Sequence, residues 1–172
     1  MIKALVLLLS AVYLQGCISA KTKHAAPFVP DDFQVPSRLV TDVFEFRVLT
    51  VADAEADYEA VMETRERLRS IFGGEWPADN FTLEENKADL LAHEDAFKQR
   101  AAFTYTIASL SSNELLGCIY IVPGADTDAQ VIYWVRESAY KQGLEPMMLM
   151  HLKNWLESTW PFQTITYVGD LP

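Results

Sequence analysis

The stretch VIYWVRESAYKQGLEPMML, residues 131–149, reads as a strand, a turn and the start of a helix. The run from Val131 to Arg136 has the apolar make-up of a buried strand, and the apolar residues after Pro146 return at helical spacing. Pro146 suits the first position of a helix, and Glu145 suits the positive end of its dipole. A strand turning into a helix N-terminus is also a common place to hold an anion, because orphan N–H groups and the dipole point the same way. Residues 141–146 therefore allow two readings, an ordinary helix start or a phosphate-binding turn.

Working outward, the helix opened by Pro146 extends to Trp160, with Met148, Leu149, Leu152, Trp155 and Leu156 facing inward. Pro161 forces the exit, and QTITYV (163–168) reads as a final strand. Upstream, AFTYTIA (102–108) and LLGCIYIV (115–122) flank the polar SLSSNE, the pattern of an antiparallel hairpin. Thr82 and Glu85 form a capping box that opens a helix running to about Arg100 on Leu83, Leu90, Leu91 and Phe97. Before it, VFEFRVL (43–49) alternates as a strand does. Thr50 and Asp53 then start a helix whose apolar face continues to Phe72, where Gly73-Gly74 ends it. The predicted order is β-α-α-β-β-β-α-β, a mixed sheet with helices packed on it, of α+β or α/β class.

At 172 residues, 50% of them hydrophobic and 22% charged, the chain has room for one domain with a substantial core. A formal charge of −10 argues against nucleic acid as a partner. The first 16 residues carry Lys3 and then an apolar run from Ala4 to Leu14, too short for a comfortable bilayer span and readable as a signal peptide. Leu14-Gln15-Gly16-Cys17 resembles the lipobox of bacterial lipoproteins. That resemblance implies a lipid-modified Cys17, a membrane anchor and a place in the cell envelope; a start codon further downstream would instead leave the protein cytoplasmic. Residues 17–42, with Pro27, Pro30 and Pro36 and no period, read as the lipid attachment site and a tether, and residues 43–172 as the folded domain. Cys118, inside an apolar strand, reads as a small buried hydrophobe. His93, Glu94 and His151 sit on helices as surface or boundary residues, and no spacing suits a metal site. Trp76, Trp134 and Trp160 read as core or cleft lining.

This order of elements resembles the GNAT superfamily of N-acetyltransferases, on FEFRVLTVADAEADYEAVM (44–62), LLGCIYI (115–121) and AQVIYWVRESAYKQG (129–143). The resemblance covers roughly Val43 to Val168. It implies acetyl-CoA as cofactor, an amine as acceptor, and a fold shortened at its C-terminal end. It places Tyr133, Trp134, Val135 and Arg136 beside the pantetheine arm, and Lys141, Gln142 and Gly143 beside the pyrophosphate. Tyr140 stands where the family has Arg or Gln, Glu145 replaces a small residue, and Pro146 lacks an N–H. Gln130 occupies the position of the family's frequent general base, a role an amide cannot fill, so no catalytic residue is assigned. The alternative is a non-catalytic GNAT-like envelope lipoprotein acting as a binding module. Its last strand would be an exposed sheet edge suited to pairing in a homodimer.

Overall fold

A computed structural model describes residues 27–169; the expected signal peptide and Cys17 lie outside them. Six strands form one sheet in the order β1-β2-β3-β4-β5-β6, antiparallel except for the last pair. The strands are β1 (Arg38–Val40), β2 (Phe44–Val48), β3 (Phe103–Ser109), β4 (Leu115–Pro123), β5 (Ala129–Val135) and β6 (Ile165–Val168). The helices are α1 (Ala54–Glu63), α2 (Arg65–Phe72), α3 (Leu83–Lys98), α4 (Glu137–Lys141) and α5 (Glu145–Thr159). The expected mixed sheet with helices on it is what forms. β3 is buried nearly throughout and β4 from Leu115 to Ile119, because helices cover both faces.

One face carries Phe44, Phe46, Phe103, Tyr105, Ile107, Ile119, Ile121, Val131 and Tyr133 against Met148, Leu152, Trp155 and Leu156 of α5. The other carries Cys118 and Trp134 against Ala60, Val61, Leu68 and Leu90 of α1–α3. The inward residues of α5 are those the helical spacing predicts, with Leu149 only partly buried. Thr82 and Glu85 make the predicted capping box, Glu85 N–H donating to Thr82 Oγ1 at 3.2 Å and Thr82 N–H to Glu85 Oε2 at 2.8 Å.

Three features depart from the sequence reading. Residues 27–42 were expected to be tether, yet they pack on the domain. Val29 is 1% exposed, Phe28 stacks on Phe103 and Phe162, and Tyr105 Oη donates to Pro36 O at 2.6 Å. Residues 38–40 also add a strand to β2. Prolines deprive this segment of a period but leave its few apolar side chains free to plug the end of the core. The helix expected from Thr50 to Phe72 is broken at Thr64, whose φ of −101° and ψ of 4° end α1 and start α2. Finally, the turn after β5 contains the short helix α4, which the sequence pattern does not set apart from the turn.

Candidate active site

Among the described residues, β5 outruns its neighbour β6. Its pairing with β6 ends at Ile132 with Val168, while β5 continues to Val135. Arg136 N–H donates to Leu116 O on β4 at 2.6 Å, so across a trans peptide the Val135 carbonyl faces away from β4, on the side where β6 pairs. A strand edge of this kind beside a turn can pair with an extended ligand.

Each residue expected at the site can now be placed. Tyr133 and Val135 are buried against the α5 face of the core, and Tyr133 lies so close to the chain after β6 that a Cβ on Gly169 would sit 2.3 Å from its ring. Trp134 is buried on the opposite face, its Nε1–H donating to Tyr120 Oη at 3.3 Å. Their side chains therefore build the core, and what β5 offers a ligand is its backbone. Arg136 reaches Glu63 through Nε and Nη2 and Glu114 Oε1 through Nη1 at 2.6 Å. Lys141 is exposed and pairs with Glu137 at 3.1 Å. Gln142 lines a pocket of about 310 Å³ with Phe44, Ser109, Glu114 and Ser138, on the β4 side of the turn away from the β5 edge.

Gly143 has φ +74° with nothing within 4 Å of where a Cβ would stand, so glycine serves the left-handed turn there and no close approach requires it. The N–H groups of Gln142, Gly143 and Leu144 donate to Ser138 O, Tyr140 O and Ala139 O at 3.2, 2.8 and 3.1 Å. The turn thus closes on α4 as an ordinary helix start, and these three amides are already engaged. Glu145 is buried at the first position of α5.

The residues that the sequence did not single out come from the α1–α2 junction. Glu63 Oε2 accepts the two Arg136 donors and Oε1 accepts Ser138 N–H at 2.7 Å. Thr64 Oγ1 accepts Glu137 N–H at 3.0 Å. Arg67 donates through Nη1 to Glu137 at 2.7 Å and through Nη2 to Val135 O at 2.7 Å, and its guanidinium lies 3.9 Å from the centre of the Tyr140 ring. Burial pushes the Glu63 carboxyl up, but Arg136 and Ser138 outweigh it and hold it down to about 2. The one sequence signal for the junction is Arg65, which stands where the apolar helical stripe calls for a hydrophobe.

A second polar group lies beneath α1. Asp57 is 3% exposed and accepts Asn86 Nδ2–H at 3.0 Å and the Cys118 thiol at 3.2 Å. Burial raises both the Asp57 carboxyl and the Cys118 thiol above their ordinary values. Cys118 is therefore buried as expected and also a hydrogen-bond donor. His93 is half-buried, with Nδ1 3.2 Å from Thr104 Oγ1, and burial lowers its pKa, so it is neutral at pH 7. A neutral imidazole can take a proton, and the His93 ring lies 5.1 Å from the ring of Tyr120 on β4. Among the described residues no group of three or more His, Cys, Asp or Glu is placed to hold a metal.

No protein-family model matches the chain, and no curated protein matches it in sequence. Solved structures do. RimL, a ribosomal L7/L12 alpha-N-protein acetyltransferase, aligns at a TM-score of 0.56 with 21% identity over 69% of this chain and 63% of that one. The same enzyme in complex with coenzyme A aligns at 0.57. A ribosomal-protein-S5-alanine acetyltransferase from Vibrio fischeri gives 0.54 with 16% identity over 70% and 67%. The microcin C7 self immunity acetyltransferase MccE, in complex with acetyl-CoA and AMP, gives 0.58 with 16% identity over 78% and 73%. The chain spans somewhat under two thirds of the length of RimL. At these identities the likeness is one of fold, and the fold is that of the GNAT acetyltransferases.

Proposed function

We propose that this domain binds an acyl-CoA along the edge of β5 beyond its described pairing with β6 and transfers its acyl group to an amine. The observation that carries the reading is that β5 continues three residues beyond its last pair with β6 among the described residues and ends at a turn bearing Arg136 and Lys141. An extended pantetheine arm suits such an edge, since its amides can pair with strand backbone. Neighbours of the same fold are described with coenzyme A or acetyl-CoA bound. In the transfer, the amine nitrogen would attack the thioester carbonyl, the C–S bond would break, and the proton lost by the amine would pass to the departing thiolate. Thermal unfolding with and without acetyl-CoA tests the reading: ligand at 100 times its dissociation constant adds about 2.7 kcal/mol to the native state. A midpoint unmoved at millimolar acetyl-CoA refutes it.

One observation favours a second reading, a GNAT-fold binding module without turnover. Gln130 presents an amide on β5 where a carboxylate base would serve. Binding of acetyl-CoA with no thiol release, across a panel of amines, would select this reading.

A further inference from the structure

We propose that Glu63 and Arg67 form an internal latch that occupies, from the α1–α2 junction, the ground an acyl-CoA would take on the edge of β5. The inference rests on the reading just given for that edge, and it concerns what sets cofactor affinity.

Two contacts define the latch. The Val135 carbonyl, which points to the β6 side where a pantetheine amide would pair, already accepts Arg67 Nη2–H at 2.7 Å. The Arg136 guanidinium, the strongest phosphate-type donor at the turn, is engaged through Nε and Nη2 by one oxygen of Glu63. Chemically, the Glu63 carboxylate stands in for a phosphate oxygen. The remaining contacts hold the junction against α4: Ser138 N–H to the other Glu63 oxygen, Glu137 N–H to Thr64 Oγ1, and Arg67 to Glu137.

The charge balance points the same way. Among the described residues, Arg67, Arg136 and Lys141 face Glu63, Glu114 and Glu137, three cations against three carboxylates. A pyrophosphate approaching this group gains no net attraction until a carboxylate leaves. The junction is also where the helix is already interrupted, Thr64 lying outside helical φ/ψ, so withdrawal of Glu63 and Arg67 need not unwind a continuous helix.

The test is isothermal titration of the full chain with acetyl-CoA and with S-acetylpantetheine, which lacks the phosphates. Glu63→Gln keeps the side-chain length but removes the charge, so acetyl-CoA should bind about tenfold tighter or more, with little change for S-acetylpantetheine. Arg67→Ala uncovers the Val135 carbonyl, so S-acetylpantetheine should gain. If ligand-free unfolding shows Glu63→Gln to be poorly folded, Glu63→Asp keeps the charge on a stem too short to span the gap and should shift acetyl-CoA affinity in the same direction. Equal acetyl-CoA affinity in wild type and both Glu63 variants overturns the latch and leaves the cofactor reading standing. If neither wild type nor any variant binds at millimolar concentration, the cofactor reading falls and takes the latch with it.

Discussion

Replacing Gly117 with alanine should be the most damaging small change in the sheet. Gly117 lies on β4 opposite Val135, at the bulge where the pairing of β3 with β4 shifts register. An alanine Cβ there would stand 2.0 Å from Trp134 O, 2.8 Å from Val135 Cα and 2.9 Å from Trp134 C, and φ is +154°. All three are backbone atoms of β5, so no side chain can swing aside. Ordinary carbon–oxygen contact begins near about 3.3 Å, so the strands must part by on the order of 1 Å. Overpacking costs about 1–3 kcal/mol, and one or two weakened ladder hydrogen bonds cost about 1 kcal/mol each, which together give about 2–5 kcal/mol. That is a large part of the 5–15 kcal/mol typical of a domain. In urea, at a slope of about 2 kcal/mol/M, the midpoint should fall by about 1–2.5 M. Two other glycines calibrate the result. Gly143→Ala meets open space at φ +74° and should cost about 1–2 kcal/mol, and Gly74→Ala meets open space and should cost under about 0.5 kcal/mol. If Gly117→Ala costs no more than Gly143→Ala, the close approach of β4 to β5 at the site is wrong.

Three further outcomes follow from the same contacts. A chain begun at Val43 loses β1, the buried Val29 and the Tyr105 bond to Pro36, and should be less stable than one begun at Pro27 by at least about 3 kcal/mol in denaturant unfolding. Two buried acids should pull stability in opposite directions with pH. Burial raises the Asp53 carboxyl, but Arg47 at 2.6 and 2.9 Å and Thr50 N–H outweigh it, so its folded pKa lies below 3.8 and its contribution is lost as pH falls below that value. Asp57 is raised by burial, so the folded state gives up this proton less readily than the unfolded state, and stability falls as pH climbs from about 4 towards the folded value. The stability of Asp57→Asn relative to wild type should therefore improve as pH rises, and parallel curves from pH 4 to 7 would contradict the burial of that carboxyl. Cys118, fully buried with its thiol raised, should react with a disulfide reagent only at the rate of unfolding, so fast labelling of native protein would place it at the surface instead.

What the sequence determined is what local spacing and hydrophobic period control. The strands β2 to β6, the capping box of α3, the inward face of α5 and the glycine at the end of α2 follow from residues within a turn or two of one another. Their order was enough to point to the fold. The tertiary structure decided what depends on residues far apart in the chain. Glu63 meets Arg136 across 73 positions and Arg67 meets Val135 across 68, and neither helix period nor strand alternation carries information over that separation. The prolines of residues 27–36 hid a packed segment because Phe28 finds its partners at Phe103 and Phe162. The turn at residues 141–146 was open to two readings for the same reason. Which hydrogen bonds its amides make depends on whether α4 forms, and α4 is held by side chains from the α1–α2 junction.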